Sequence, residues 1–166
     1  MLNHVFKLIA TVAIATSLVL VASTGAQAQV PKQGKFTGQF GYYGVGQAFQ
    51  IEENHFYWVG EFTGSFFNDA GKGIFHRSSV KCPAADDIYG GVEHASGYCI
   101  ITDKDGDKAF LSWTCEGPAQ QICKGTFKWT GGTGKYTGIT GDNTFQGNAI
   151  TASEGYALWQ AQYQLP

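Results

Sequence analysis

The clearest structural signal in the chain is residues 55–67, which read HFYWVGEFTGSFF. In an extended strand, successive side chains point to opposite sides, so residues of equal parity share a face. The alternation therefore predicts a strand with one hydrophobic face and one polar-aromatic face. The first face carries Phe56, Trp58, Phe62 and Phe66, and the second carries His55, Tyr57, Glu61, Thr63 and Ser65.

Short runs of the same kind continue through the chain, separated by glycine-containing turns. No stretch keeps an apolar period of 3.6 residues, so little helix is expected. Eight or nine such strands favour an all-β barrel or sandwich. The predicted strands are Lys35–Gln39, Val45–Ile51, His55–Phe67, Gly73–Lys81, Val92–Thr102, Lys108–Cys115, Ile122–Trp129, Asn143–Ile150 and Gly155–Gln164.

Two of these strands carry aromatic side chains on both faces. Trp113 alternates with Phe110, and Trp159 alternates with Tyr156. In a barrel wall one face lines the interior, and the outer face needs cover from loops, a partner or a second copy of the chain. A homo-oligomer is one expected solution.

Two turns can be recognised from their residue types. Asp103-Lys104-Asp105-Gly106 has Asp first and Gly fourth, which is typical of a type I turn closed by a left-handed glycine. This turn would set the pairing of residues 98–102 with residues 108–115. At residues 131–134, Gly-Gly-Thr-Gly permits positive φ and predicts a second chain reversal.

The first 28 residues have the pattern of an export signal. Lys7 precedes an apolar run from Leu8 to Ala22, and Ala26-Gln27-Ala28 is a typical cleavage site. A retained membrane anchor would need about 20 uninterrupted apolar residues, and this run is shorter and contains polar residues. Cleavage after Ala28 would leave residues 29–166 as one periplasmic or secreted domain, with no later stretch able to span a bilayer.

The charge balance argues against nucleic acid as a partner. The full chain has a net charge of −2, and loss of Lys7 with the signal makes it −3. Affinity for nucleic acid comes mainly from neutralising phosphates with basic residues, and this chain has no basic block. It also has no polybasic patch for anionic lipid.

Four cysteines, Cys82, Cys99, Cys115 and Cys123, fit an exported domain with two disulfides. Three pairings are conceivable. We expect Cys82 with Cys99 and Cys115 with Cys123, because each pair brackets a polar loop between two strands. A zinc site is the alternative, but the C-x-x-C spacing typical of such sites is missing.

No motif in the chain identifies a metal or a cofactor. Asp103, Asp105 and Asp107 resemble part of a calcium loop, but the glycine is misplaced and no glutamate follows at the twelfth position. Gly131–Lys135 is followed by Tyr-Thr-Gly rather than the pattern of a phosphate-binding loop. The mature histidines, His55, His76 and His94, lack the usual ligand spacing.

The aromatic content suggests a binding cavity as an alternative to simple core filling. The chain has 12 Phe, 8 Tyr and 4 Trp, and such residues commonly line ligand cavities. The predicted cavity-lining residues are Tyr57, Trp113, Trp129, Tyr136 and Trp159. Glu61 is the candidate catalytic acid, because burial inside a barrel would raise its pKa, whereas on the outside it would be an ordinary solvated glutamate.

The segment from Thr102 to Gly147 resembles the allene oxide cyclase and dirigent-like barrel superfamily. The resemblance rests on the Asp-rich hairpin, a Trp-bearing strand and residues 125–141, GTFKWTGGTGKYTGITG. It implies an eight-stranded antiparallel barrel of calycin type with an apolar interior and frequent oligomers, as in small exported bacterial proteins of this superfamily. The polar groups used by the plant cyclases lie outside the matching segment, so no catalytic residue is transferred.

Three functions are compatible with these observations. The first is a barrel that binds a small apolar or aromatic molecule. The second is an isomerase or cyclase that confines a reactive substrate and uses a buried acid such as Glu61. The third is a module whose outer surface binds a protein or glycan around a solid interior.

Overall fold

The computed structural model describes residues 30–166. The predicted signal peptide, residues 1–28, lies outside the described residues. Within residues 30–166, no helix has the length and apolar character needed to cross a membrane.

Eight antiparallel strands form one closed barrel in chain order. Each strand pairs with the next, and the last returns to pair with the first. This confirms the predicted all-β, eight-stranded antiparallel barrel. The strands are β1 (Gln33–Glu52), β2 (His55–Asn68), β3 (Ser78–Tyr89), β4 (Val92–Thr102), β5 (Lys108–Pro118), β6 (Ile122–Gly132), β7 (Asp142–Ala149) and β8 (Glu154–Gln164), with a 3₁₀ helix at Gly134–Tyr136 between β6 and β7.

The strands predicted at Lys35–Gln39 and Val45–Ile51 are one continuous strand, β1. The glycines between them do not interrupt the ladder, since Gly41 pairs with Ser65 on β2 and with Tyr156 on β8. The boundary predicted from glycine content was therefore wrong.

The strand predicted at Gly73–Lys81 begins later than expected, at Ser78, and continues to Tyr89. The connection before it contains four left-handed residues, with φ of 68° at Gly71, 90° at Gly73, 57° at Phe75 and 61° at Arg77. Extended pairing cannot pass through such a segment, because left-handed backbone does not fit a strand.

The predicted alternation in β2 is confirmed. Phe66 is fully buried in the interior, and Trp58 and Phe62 also face inward, whereas Tyr57 is exposed on the outer face. The predicted β4–β5 hairpin is confirmed as well. Gly106 has φ of 87°, its N–H donates to the Asp103 carbonyl at 3.1 Å, and Thr102 pairs with Lys108.

Both expected disulfides are present. Cys82–Cys99 joins β3 to β4, and Cys115–Cys123 joins β5 to β6. Each bridge connects neighbouring strands through side chains that face the barrel interior. They therefore restrain the wall from inside and leave the outer surface free of sulfur.

One end of the barrel is filled by aromatic side chains. Phe75 is 2% exposed and folds back into this end from the β2–β3 connection. Its ring lies 4.8 Å from that of Tyr136, 5.2 Å from Trp129 and 5.8 Å from Phe36, measured between centroids. This end is a packed core closed to solvent.

The other half of the barrel is lined at many inward positions by glycine and alanine, whose small side chains leave space unfilled. These small inward residues are Gly44, Gly46, Ala48, Ala95, Gly147, Ala149 and Ala157. At the packed end, the equivalent positions carry Phe36, Phe66 and Ile101. The change from large to small residues along the barrel axis leaves a cavity that opens at one end.

Candidate binding cavity

The hollow half of the barrel encloses a cavity of about 670 Å³. Its open end is surrounded by the β1–β2, β3–β4, β5–β6 and β7–β8 turns. Phe40, Leu111, Phe127 and Trp159 lie where the cavity meets the packed end. This volume lies within the range of about 300–1,000 Å³ that is usual for small-molecule sites.

A belt of aromatic side chains forms the cavity wall. The Phe62 ring centroid lies 4.9 Å from Trp58, 5.1 Å from Tyr42 and 6.2 Å from Trp113. Trp113 continues the belt to Phe145 at 5.8 Å in an edge-to-face contact. Such contacts hold rings in fixed orientations, so the wall is formed before any ligand arrives.

Two glycines provide the space for Trp58. The indole lies against the backbone at Gly46 on β1 and Gly60 on β2, where a Cβ at either position would overlap the ring. These glycines are required by close approach of an aromatic ring to the backbone. They allow a tryptophan to lie along the wall without filling the cavity.

Two carboxyl groups, Asp86 and Glu93, face into this apolar space. Asp86 on β3 pairs with Ala95, and Glu93 lies two residues away on the same face of β4, so the side chains are diagonal neighbours. Burial, reinforced by the nearby Asp86 charge, raises the pKa of Glu93 to about 7. Burial also raises the pKa of Asp86, although a hydrogen bond with Glu93 acts in the opposite direction.

Other polar groups are available around this pair. Burial, followed by the charge of Glu93, raises the pKa of Tyr42. Asp86 Oδ1 and Trp113 Nε1 are buried and have no hydrogen-bond partner within residues 30–166. One is an acceptor and the other a donor, so the cavity can satisfy both types of ligand group.

The cavity lining is acidic as well as aromatic. Asp86 and Glu93 line its interior and the exposed Glu154 lines it at the start of β8, while no lysine, arginine or histidine from the described part of the chain does. A buried carboxylate without a cation is costly, which is the physical reason why Glu93 retains its proton up to about neutral pH.

The predicted binding residues lie in three places. Trp113 and Trp159 line the cavity. Trp129 and Tyr136 are buried in the packed end, where Trp129 Nε1 donates to the Gln162 carbonyl and the Tyr136 hydroxyl donates to Asp103. Tyr57 lies on the outer face, because its parity is opposite to that of Trp58.

Glu61, the predicted catalytic acid, also lies on the outer face of β2. Its carboxylate is 3.8 Å from Lys81 Nζ on β3, and its side chain is 38% exposed. The structure thus places Glu61 among surface ion pairs. The acids that share the interior are Asp86 and Glu93, which the sequence interpretation did not single out.

A sequence signal for these two acids exists in the disulfide. Cys82 and Cys99 are bonded across the interior face of β3 and β4. Asp86 has the parity of Cys82, and Glu93 has the parity of Cys99. Once the pairing is assumed, alternation alone places both carboxyl groups inside.

The Asp103, Asp105 and Asp107 cluster is bridged by a lysine. Lys135 Nζ lies 2.5 Å from Asp103, 2.6 Å from Asp105 and 3.7 Å from Asp107. These acids therefore join the β4–β5 turn to the 3₁₀ helix. In residues 30–166, no group of three histidine, cysteine, aspartate or glutamate side chains is arranged to hold a metal ion.

The histidines are dispersed over the barrel. His55 pairs with Asp87 at 2.6 Å and His94 with Glu116 at 3.3 Å. His76 lies in the β2–β3 connection, where its ring meets Phe67 edge-on at 6.0 Å. None of the three lines the cavity.

The chain matches no protein-family model, and no curated protein shows significant sequence similarity to it. The resemblance of residues 102–147 to a known superfamily therefore stays a prediction.

Proposed function

We propose that this protein binds one small apolar or aromatic molecule inside its barrel, in the periplasm or outside the cell. The observation that carries the proposal is the aromatic cavity of about 670 Å³ with one open end. The two disulfides support an oxidising location. The predicted export signal points to the same location.

The distribution of large and small residues supports binding over simple core filling. A barrel of eight strands can be filled completely by its own side chains, as the end around Phe75 and Tyr136 is. The other half instead has glycine and alanine at inward positions such as Gly44, Ala95 and Gly147. An apolar molecule there would gain contacts that the protein itself leaves unmade.

The proposed isomerase alternative would use the same cavity. Its acid would be Glu93 or Asp86, since Glu61 is outside the barrel. The resemblance to allene oxide cyclase and dirigent-like barrels is compatible with either use. Binding is the simpler proposal because it requires only the cavity.

The experiment is a titration with N-phenyl-1-naphthylamine, an apolar fluorescent probe, on protein prepared with both disulfides formed. We expect a saturable rise in probe emission and matching quenching of tryptophan emission, because Trp58, Trp113 and Trp159 line the cavity. Gly147→Leu should weaken binding by about tenfold, equivalent to about 1.4 kcal/mol. The new side chain would occupy the cavity, since a Cβ at Gly147 meets only ordinary contacts at 3.6 Å or more.

Gly41→Leu is the matched control. Gly41 is an exposed β1 residue, and a Cβ there has no neighbour within 4 Å. The same substitution is thus made on the outer face, and probe affinity should not change. A linear, unsaturable titration of the native protein, or equal weakening by both variants, would contradict binding in the cavity.

A further inference from the structure

We propose that the cavity selects organic amines, with the ammonium group held between Asp86 and Glu93 and the apolar or aromatic body held by the aromatic wall. This inference rests on the proposed binding function and specifies the class of ligand. It concerns the chemistry of the cavity lining rather than its volume.

The two carboxyl groups are placed to hold one ligand group between them. Asp86 and Glu93 come from neighbouring strands and point to the same side of the wall. Asp86 Oδ1 is buried and has no hydrogen-bond partner within residues 30–166. An ammonium group has several N–H donors and one positive charge, and it would satisfy this acceptor and compensate the pair.

The acids outside the barrel differ from this pair in having basic partners. On the outer face of the same region, Glu61 pairs with Lys81, Asp87 with His55 and Glu116 with His94. Among the described residues, no basic side chain lines the cavity to play this role for Asp86 and Glu93. Within residues 30–166, the interior pair therefore lacks the basic side-chain partner that each of these outer acids has.

The aromatic belt also favours a cation. Trp58, Phe62 and Trp113 surround the same space. The faces of aromatic rings attract cations, and tryptophan does so most strongly. A carboxylate ligand would meet these ring faces and two acids, so the lining disfavours anions.

The protonation of Glu93 makes amine binding depend on pH. Three groups face Glu93: Asp86 on β3, Tyr42 on β1 and the Gln120 backbone in the β5–β6 turn. The charges of His94 and Asp87 act on Asp86 from the outer side. Burial and Asp86 raise the pKa of Glu93 to about 7. A bound ammonium would favour the ionised carboxylate and displace its proton, so amine affinity should increase from pH 5.5 to pH 8.

The test compares three probes with one aromatic body: 2-(1-naphthyl)ethylamine, 2-(1-naphthyl)ethanol and 1-naphthaleneacetate. Affinities are measured by isothermal titration calorimetry at pH 5.5 and pH 8. We expect the amine to bind at least tenfold more tightly than the alcohol at pH 8, with a smaller preference at pH 5.5. We expect the acetate to bind most weakly. At pH 7, amine binding should release protons, detected as a dependence of the measured heat on the ionisation enthalpy of the buffer.

The Asp86→Asn/Glu93→Gln double variant should lose the preference for the amine and keep the affinity for the alcohol. Binding of the alcohol also shows that this variant is folded. The Glu61→Gln/Glu116→Gln variant is the matched control, because it removes two carboxylates from the outer face. It should keep the full amine preference.

The outcomes separate the two proposals. Equal binding of amine and alcohol by the native protein, or an amine preference that survives the Asp86→Asn/Glu93→Gln variant, overturns the amine inference and leaves the cavity function standing. If none of the three probes binds and N-phenyl-1-naphthylamine also fails, the proposed function falls, and the inference falls with it.

Discussion

Glu93 is the residue at which folding and the proposed amine binding make opposing demands. Folding raises its pKa from 4.5 to about 7, chiefly through burial. The folded state therefore holds the proton more tightly than the unfolded state. The protonated form contributes full stability below pH 4.5, and stability is lost as pH rises from 4.5 to 7.

We therefore predict that Glu93→Gln stabilises the free protein at pH 8 and changes little at pH 4.5. Glutamine keeps the size of the side chain and removes the charge. Because Glu93 is only partly buried, the gain should be about 1 kcal/mol after allowance for solvent screening. Thermal unfolding followed by circular dichroism at the two pH values measures it.

Glu61→Gln is the control for this prediction. Glu61 lies on the outer face beside Lys81, and exposed ion pairs of this kind contribute little. Its unfolding temperature should thus stay close to that of the native protein at both pH values. A Glu93→Gln variant that is less stable than the native protein at pH 8 would show that the Glu93 carboxylate is stabilised in the fold.

Some of the individual residues of the candidate site could be predicted from the sequence. Trp113 and Trp159 were predicted to line a cavity and do so. Tyr57 was expected to line the cavity, and Glu61 was left with an inner and an outer position open, because both faces of β2 carry aromatic residues. The structure places both residues on the outer face. Asp86 was missed because the predicted strand ended at Lys81, five residues before it.

Asp103 is the least exposed of the three acids that hold the β4–β5 turn against the 3₁₀ helix. Asp103 Oδ1 accepts the backbone N–H groups of Asp105 at 2.9 Å and Asp107 at 3.1 Å. Its Oδ2 accepts the Tyr136 hydroxyl at 2.9 Å and contacts Lys135 Nζ at 2.5 Å. Although burial raises the pKa of Asp103, hydrogen bonds from Lys135 and Tyr136 lower it below its ordinary value.

We predict that Asp103→Asn destabilises the protein by about 2 kcal/mol at pH 7, since it removes charge-assisted hydrogen bonds to Lys135 and Tyr136. The folded-state pKa of Asp103 lies below the ordinary value of 3.8. Its contribution is thus present above pH 3.8 and is lost as pH falls through the folded value. Urea unfolding at pH 7 and at pH 3 should show the difference between variant and native protein shrinking in acid.

Asp105→Asn tests whether the loss of stability in Asp103→Asn depends on the buried Tyr136 hydroxyl. Asp105 also contacts Lys135, at 2.6 Å, but its side chain is 24% exposed compared with 9% for Asp103. It has no contact with the buried Tyr136 hydroxyl, so its loss should be clearly smaller. Equal effects for the two variants would mean that the ion pair with Lys135, rather than the link to Tyr136, joins these elements.

Strands and turns could be predicted where a few neighbouring residues determine the local backbone. The hairpin at Asp103–Gly106 follows from turn chemistry within four residues, and Gly106 adopts the required positive φ. The β2–β3 connection was not predictable, because Phe75 and Arg77 adopt left-handed conformations that favour glycine. Burial of the Phe75 ring among Phe36, Trp129 and Tyr136 accompanies this backbone, and such a tertiary contact has no local sequence signature.

For the whole molecule, the barrel was predictable, and the position of its hollow half along the axis was not. Strand number and alternation depend on neighbouring residues. The level of each residue along the barrel axis depends on the stagger between all eight strands. The small residues Gly44, Ala95 and Gly147 lie at one end, and Phe66 and Ile101 lie at the other. This separation becomes visible only when the stagger of the strands is known.

This asymmetry predicts unequal stability along the barrel. Pairing between β1 and β8 stops at Tyr43 with Glu154, so residues 45–52 pair with β2 alone. Residues 45–54 are exposed on both faces, whereas Val80, Ile101 and Ala109 are fully buried. An edge segment that is paired on one side only and exposed on both faces has few contacts to hold it, so residues 45–52 can open while the packed end stays folded.

We predict that amides in residues 45–57 exchange with deuterium through local opening, and that amides in residues 99–102 and 109–112 exchange only on global unfolding. Hydrogen exchange followed by mass spectrometry of peptic fragments, repeated in low concentrations of urea, distinguishes the two modes. Exchange by global unfolding accelerates steeply with urea, because it exposes the most surface, and exchange by local opening changes little. If residues 45–57 exchange as slowly as residues 99–102 and with the same urea dependence, the barrel unfolds as one unit. In that case the cavity rim is as stable as the core, and the proposed ligand would have to enter through a rigid opening.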